Sequence, residues 1–345
     1  MELSVRNVHQ ALPKALRLLE QDGVHRESRN GDVVVVPYPV ITEYDYSTER
    51  VVFWPERDAN PYLHLYEALW MLAGRNDIAP MVKFSKNFAN YSDDGRTQPA
   101  AYGHRWRKAF HKDQLPIIAH RLQKNPDDRR CVLQMWHSVY DLDSPSKDVP
   151  CNLTATFQRD INGHLDITVF CRSNDIIWGT FGANAVHFSM LQEYMAAWIG
   201  CPIGIYRQIS VNWHAYLEPL KKLEKLLTAP FHCPYMEHEV RVLPMILGGG
   251  NVAVEKFDEQ LDQLLLDVDT GFIRPHQQTG ELFLEQAYII LKAHDIWRTT
   301  VGTERYVQAL EILAKADQSV DWVVASIQWI LRRMHTYSDK HGSKA

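Results

Sequence analysis

Cys151 stands in Val149-Pro150-Cys151-Asn152 and is followed 21 residues later by Arg172-Ser173-Asn174-Asp175. A thiolate is a strong nucleophile. A nearby arginine lowers a thiol's pKa, and the arginine fork also binds phosphate bidentately. Asn184 then opens a helical pattern, so a thiol, an arginine, an aspartate and an amide fall within 34 residues. A lone Pro-Cys is weak evidence, but this set contains the parts a thiol needs to attack a phosphorylated, nucleotide-like substrate. The five cysteines, Cys131, Cys151, Cys171, Cys201 and Cys233, are an odd number with no CxxC pair. That fits reduced thiols in a cytosol better than a disulfide framework or a zinc site. No histidine shows metal-ligand spacing with carboxylates or cysteines, so no metal is expected.

Several elements must position these groups. Residues 1–25 read as a helix, with Val5, Val8, Leu12, Leu16 and Leu19 at helical spacing. GDVVVVPYPVI is a β-rich run broken by Pro37 and Pro39. Residues 61–74 form a helix with Pro61 near its start and Gly74 near its end. Residues 84–101 are polar and read as a loop, and 115–124 as a short helix. Strands are expected over Arg130–Ser138, Leu153–Asp160 and His164–Cys171, the last two joined by the turn Ile161-Asn162-Gly163. Residues 184–199 form a buried-type helix, and IGIYRQISVNWHAYL a further strand. Beyond Gly248-Gly249-Gly250 come four helical patterns, near 254–267, 278–296, 303–316 and 318–337.

At 345 residues the chain is long enough for a full core. A net charge of -5 gives no global basic field, so no direct nucleic-acid partner is indicated. No apolar run approaches the roughly 20 residues of a membrane helix, and the N-terminus lacks a signal-peptide core. A cytoplasmic protein is expected.

The stretches LYEALWMLAG, AYGHRWR, DDRRCVLQMW, VPCN, RSNDIIWG, ANAVHFSMLQEYMAAWIG and NWHAYLEPL occur in this order across residues 60–220. In them the chain resembles thymidylate synthases and the related phage pyrimidine-nucleotide hydroxymethylases. The resemblance implies an α+β fold, a twisted mixed sheet packed by helices, to which the four helical patterns after Gly250 add an all-helical C-terminal extension. Residues 1–245 would form the catalytic domain and 246–345 the extension. It also implies a homodimer with shared sites, a pyrimidine deoxynucleotide monophosphate as substrate, and 5,10-methylenetetrahydrofolate as one-carbon donor.

Residue by residue, Cys151 matches the nucleophile, and Arg172 with Ser173 the phosphate-binding pair beside it. Arg129 and Arg130 match arginines that the family contributes from the partner subunit, and Arg29 a mobile phosphate-binding arginine. Glu67 matches the carboxylate that manages proton transfer through ordered water, and Tyr102 a site tyrosine. His214 and Tyr216 match the pair that bonds the sugar hydroxyl, and Asp175 an aspartate implicated in folate binding. Taken singly, Glu67 would be a solvated helix residue and His214 a satisfied histidine. The joint pattern is what makes them candidates.

Sulfur addition at C6 makes C5 nucleophilic toward the one-carbon unit. After folate departs, an exocyclic methylene remains: hydride would give methyl, and water would give hydroxymethyl. Phe88 stands where synthases carry a tryptophan, the chain ends SDKHGSKA instead of in an apolar tail, RSND stands as in the hydroxymethylases, and Asn152 replaces the family histidine. These departures lean toward hydroxymethyl transfer, a function typical of phages that modify their DNA. Asn184 can donate to O4 and accept from N3–H of uracil, which favours dUMP over dCMP. One residue more than usual separates Gly179 from Asn184, and a shifted loop would reopen base choice. Thymidylate synthase, dCMP hydroxymethylase, an enzyme with another donor, and an inactive nucleotide-binding homologue are the alternatives.

Overall fold

Four valines, Val33–Val36, fill a strand that Pro37 ends, because proline has no N–H to give to a ladder. The structure, a computed structural model, describes residues 1–341; residues 342–345 of the charged terminal stretch lie outside it. Its elements begin with β1 (Glu2–Val5), α1 (Val8–Asp22), β2 (Val24–Arg26), β3 (Val33–Val36), β4 (Val40–Tyr44) and α2 (Pro61–Leu72). Then come α3 (Tyr102–Arg107), α4 (Gln114–Lys124), β5 (Val132–Gln134), α5 (Ser138–Asp141), β6 (Asn152–Arg159) and β7 (Leu165–Cys171). β8 (Asn174–Asp175), α6 (Asn184–Ile199), β9 (Ile203–Ser210), β10 (Trp213–Tyr216) and α7 (Leu217–Leu223) follow. The chain closes with α8 (Asn251–Thr270), α9 (Leu282–Thr299), α10 (Glu304–Leu313) and α11 (Asp321–His341).

A six-stranded mixed sheet runs β1-β4-β9-β7-β6-β5, and a four-stranded sheet runs β2-β3-β10-β8. The expected α+β class and C-terminal helices are therefore present. Three local expectations are corrected. The first 25 residues are not one helix: β1 pairs parallel with β4, and the Asn7 side chain accepts from Gln10 N–H at 2.9 Å to cap α1. The run that starts at Ile203 is two strands in different sheets, broken at Val211-Asn212. Arg130–Ser138 yields only the short β5, after which α5 begins. Residues 84–101, read as a loop, contain a 3₁₀ turn at Lys86–Tyr91. Pro13 lies inside α1, and the His9 carbonyl it leaves unpaired accepts from Trp54 Nε1 at 2.9 Å.

Helix α6 is the centre of the molecule. It is buried almost all round because β7 and β9 lie on one side and α2, α4 and α8 on others. Helix α2 is gripped between α6 and the C-terminal helices. Tyr62 packs edge-on against Trp329 of α11, at 5.3 Å between centroids, and donates to Ser326 O at 3.2 Å. Among the described residues no helix is long and apolar enough to cross a membrane.

The opposite face of the large sheet has a different character. Register puts Val132, Thr154, Thr156, Phe170, Thr168, Ile209, Arg207, Ile41 and Glu43 on it, and none of these is fully buried. Arg207 bridges Glu43 at 2.6 Å and Asp166 at 2.8 Å across the strands.

Arg105 ties α3 to β5. It donates to both oxygens of buried Asp141, at 2.6 and 2.8 Å, and to Met135 O at 2.7 Å. Arg105→Ala strands a buried carboxylate and is expected to cost about 3–5 kcal/mol in urea unfolding. An unchanged midpoint would show that α3 is not anchored this way.

Candidate active site

Cys151 sits on the loop entering β6, half-buried, and its carbonyl accepts from Arg172 N–H at 2.9 Å. The Arg172 side chain holds the same loop, donating from Nε to Pro150 O at 2.8 Å and from Nη2 to Val149 O at 3.1 Å. Tyr102, the first residue of α3, brings its hydroxyl up beneath the loop. The backbone N–H groups of Cys151 and Asn152 both donate to it at 3.2 Å. Both contacts use the oxygen as acceptor, so the phenolic proton stays free to donate. Burial and the neighbouring thiols raise the Tyr102 pKa, which keeps it a neutral donor.

The thiol is held protonated. Burial raises its pKa and Asp148 adds to that, whereas Arg172 opposes both. Asp148 itself is pushed up to about 6, chiefly by burial, and accepts from Ala100 N–H at 2.9 Å. Above that pH its negative charge works against a thiolate. Asp148→Asn is therefore expected to speed iodoacetamide labelling of Cys151 about three- to tenfold at pH 7.5. At pH 5, where Asp148 is mostly neutral, the rates should converge. Equal rates at both pH values would remove Asp148 from the account.

Next to the thiol runs a chain of amides. Asn152 Nδ2 donates to Asn184 Oδ1 at 3.0 Å, and Asn184 Nδ2 donates to Asn174 Oδ1 at 3.0 Å. Asn174 Nδ2 donates to Ser210 Oγ at 2.9 Å. The extra residue before Asn184 is taken up in Ile176–Ala183, a π-helical segment kinked at Phe181-Gly182. A π turn absorbs an insertion without shifting the helix after it, so α6 still begins at Asn184 and turns that amide toward Asn152. Asp175 starts the segment by accepting from Ile177 N–H at 2.9 Å and Trp178 N–H at 2.5 Å through Oδ1.

β8 and β10 run parallel with His214 opposite Asp175, and the His214 and Tyr216 rings meet edge-on at 5.5 Å. Burial raises the Asp175 pKa, and its Oδ2 is buried without a partner. Tyr216, Trp178, Tyr91, Lys147 and Arg29 line a cleft of about 830 Å³. Cys151, Glu67 and Asn184 are not on its walls. Arg29 projects from an exposed turn in which Ser28 Oγ donates to Gly31 O at 2.5 Å.

Glu67 is buried on α2, with Oε2 3.1 Å from His187 Nε2 of α6. It is not the solvated helix residue that its type alone would predict. Ser173 is half-buried, and its carbonyl accepts from the Cys171 thiol at 3.1 Å. Phe88 is half-buried and packs on the edge of the core, while Asn90 and Tyr91 from the same turn face the cleft.

Arg129 and Arg130 are not part of this cluster. Both are exposed, and Arg130 forks onto Asp128 at 2.9 and 2.8 Å. Val132 pairs with Thr156, so these arginines lie at the far end of β6, roughly 20 Å along the strand from Cys151.

Sequence reading missed Asn152 and Asn174 as amide partners, Trp178 as a cleft wall, and His187. His187 stands one helical turn after Asn184, and that i, i+3 spacing was the available signal. Among the described residues no group of three or more His, Cys, Asp or Glu is arranged to hold a metal ion.

A mixed sheet packed by helices on one face, with a thiol on the loop that enters its last strand but one, is the fold of thymidylate synthases. The solved thymidylate synthase of T4 phage superposes with a TM-score of 0.56 at 18% identity, covering 75% of this chain and 92% of that one. The sequence model of the thymidylate synthase family matches residues 12–245, and the chain belongs to that family. It is 44% identical over 340 residues to a deoxyuridylate hydroxymethyltransferase of Pseudomonas phage M6, covering 96% of this chain and 94% of the relative. A deoxyuridylate hydroxymethyltransferase of Bacillus phage SP01 is 38% identical over 191 residues, covering 52% of this chain and 50% of that protein.

Proposed function

We propose that this chain is a deoxyuridylate hydroxymethyltransferase that converts dUMP to 5-hydroxymethyl-dUMP. The observation that carries the proposal is the 44% identity to the phage M6 enzyme over 96% of the chain, which extends beyond the family's own residues 12–245 into the C-terminal helices. Mass spectrometry of the nucleotide formed from dUMP and methylenetetrahydrofolate tests it. A gain of a hydroxymethyl group is expected, and a methyl product would sink the proposal.

In this reading Arg172, Ser173 and Arg29 hold the phosphate, and His214 and Tyr216 the sugar hydroxyl. Asn184 reads the base, keeping one lone pair and one N–H beyond those used by Asn152 and Asn174. Cys151 loses its thiol proton to water and bonds to C6 as the thiolate, the C5=C6 electrons move through C4 onto O4, and C5 becomes the nucleophile. The C5 proton leaves through water to the Glu67 carboxylate, and Tyr102, neutral and with its proton free, donates a hydrogen bond beside the thiol loop.

The methylenetetrahydrofolate would lie in the cleft. The exposed Trp178 on its wall offers a pterin ring an aromatic face, and Asp175, which opens the segment that carries Trp178, is the family-matched candidate for its N–H donors. Phe88 stands near the same wall and leaves more room for water than a tryptophan would. Glu67 manages protons at C5 and at water.

The open sheet face supports a homodimer packed sheet to sheet. Arg129 and Arg130, too distant for their own Cys151, would then serve the partner's site and supply the positive charge its raised thiol lacks. Mixing inactive Cys151→Ala with an inactive Arg129→Ala/Arg130→Ala double variant is expected to restore about a quarter of wild-type activity, because half the dimers carry one complete site. No recovery would tie the arginines to their own chain. We further take residues 246–345 as a helical extension that braces α2, and the setting as phage DNA modification in a host cytoplasm. The free state of all five cysteines and the phage relatives support that setting.

A further inference from the structure

His187 is the one side chain on α6 whose chemistry the scheme above leaves unused. Polar groups elsewhere on this buried helix are bonded. Gln192 donates to Leu165 O at 2.8 Å, Glu193 accepts from Met245 N–H at 2.7 Å, and Tyr194 donates to Asp258 at 2.9 Å. Asn184 is engaged at both ends. His187 is 3% exposed, yet neither of its ring nitrogens has a hydrogen-bond partner. Its Nε2 rests 3.1 Å from Glu67 Oε2 without the alignment of a formed hydrogen bond. An unpaired imidazole in a core is costly, and here the ring is aimed at the carboxylate that handles the reaction's protons. One turn earlier on the same side of α6, Asn184 bonds Asn152, the residue after Cys151, so the pair adjoins the thiol loop. His64, three residues before Glu67 on α2, is no rival. Burial, with Arg57 and His187 nearby, pushes it down to about 3, so it takes no proton.

Hydroxymethyl transfer has one proton more to manage than methyl transfer. Water forms a C–O bond to the exocyclic methylene while the electron pair of that C=C bond moves onto C5–C4–O4. The water's O–H bond breaks, and its proton must go to a base. The O4 electrons then return, C5=C6 re-forms, and the C6–S bond breaks to release Cys151 as thiolate. A lone Glu67 that has accepted the proton stays neutral until it can pass it on. We infer that His187 is a positioning residue for this step, receiving through Glu67 the proton of the water that adds to the methylene. The inference rests on the hydroxymethyl reading and deepens it.

The test compares His187→Asn and His187→Gln with wild type in single turnovers with enzyme in excess. Tritium release from [5-³H]dUMP reports the early steps, and mass spectrometry of 5-hydroxymethyl-dUMP the late one. Both variants are expected to release tritium within about threefold of wild type and to form product about 100-fold more slowly. Added β-mercaptoethanol at pH 8.5, whose thiolate needs no base, should divert their intermediate to a C5-methylene thioether. Wild type should give mostly the hydroxymethyl product. Equal loss of tritium release and product would mark His187 as structural and overturn the inference, as would no loss of either. A wild type that makes no hydroxymethyl product sinks the reading of function itself, and this inference with it.

Discussion

Cys151→Ala is expected to lower product formation by about 10⁴-fold or more while leaving dUMP affinity within about threefold of wild type. The asymmetry follows from where the thiol stands. The phosphate candidates Arg172 and Ser173 form the link between β7 and β8, the sugar candidates His214 and Tyr216 lie on β10, and none depends on the sulfur for its placement. Arg172 grips the carbonyls of Val149 and Pro150, and Tyr102 takes the N–H groups of Cys151 and Asn152. All four contacts are to backbone, so losing the side chain leaves the loop where it is. Without sulfur at C6, C5 has no enolate electrons to offer and its proton does not leave. Calorimetry for dUMP and tritium release from C5 measure the two halves of the expectation. Residual release within about tenfold of wild type in the variant would show that another group, not Cys151, attacks the ring.

How far the site was legible depended on whether its cue was local. Helices α2 and α6 announced themselves through long apolar patterns bounded by Pro61 and Gly200, and Gly200 takes a left-handed φ of 77° to end α6. β1 did not, because four residues of mixed type become a strand only when β4 is there to pair with. The split between β9 and β10 was nearly as hidden: Ser210 and Asn212 are only a weak turn cue within an apolar run, and the break exists because the two halves belong to different sheets. Among site residues, Cys151, Arg172 and Asp175 could be read from a short segment. Glu67 and His187 could not be paired in sequence, since 120 positions separate them and only the packing of α2 on α6 brings them to 3.1 Å. Arg129 and Arg130 show the limit of a single chain, being legible as candidates yet far from their own thiol.

Asn184→Asp is expected to reverse base preference, cutting kcat/KM for dUMP about 1,000-fold and making dCMP the better substrate. In the wild type the amide is oriented by its two amide neighbours. Its oxygen faces Asn152 Nδ2 and its nitrogen faces Asn174 Oδ1. Rotating it would set two nitrogens and two oxygens against each other. The lone pair and N–H that remain match N3–H and O4 of uracil, whereas cytosine offers an acceptor at N3 and donors at N4, mismatched at both. A protonated carboxyl at this position accepts from N4 and donates to N3. The cost falls on Asn174, whose oxygen would now meet an oxygen. It can turn its amide to donate instead, because its other partner is the Ser210 hydroxyl, a rotor that gives as readily as it accepts. Competition between the two nucleotides in one assay reads the preference directly. A variant that still chose dUMP would mean that the base is recognised by some group other than this amide.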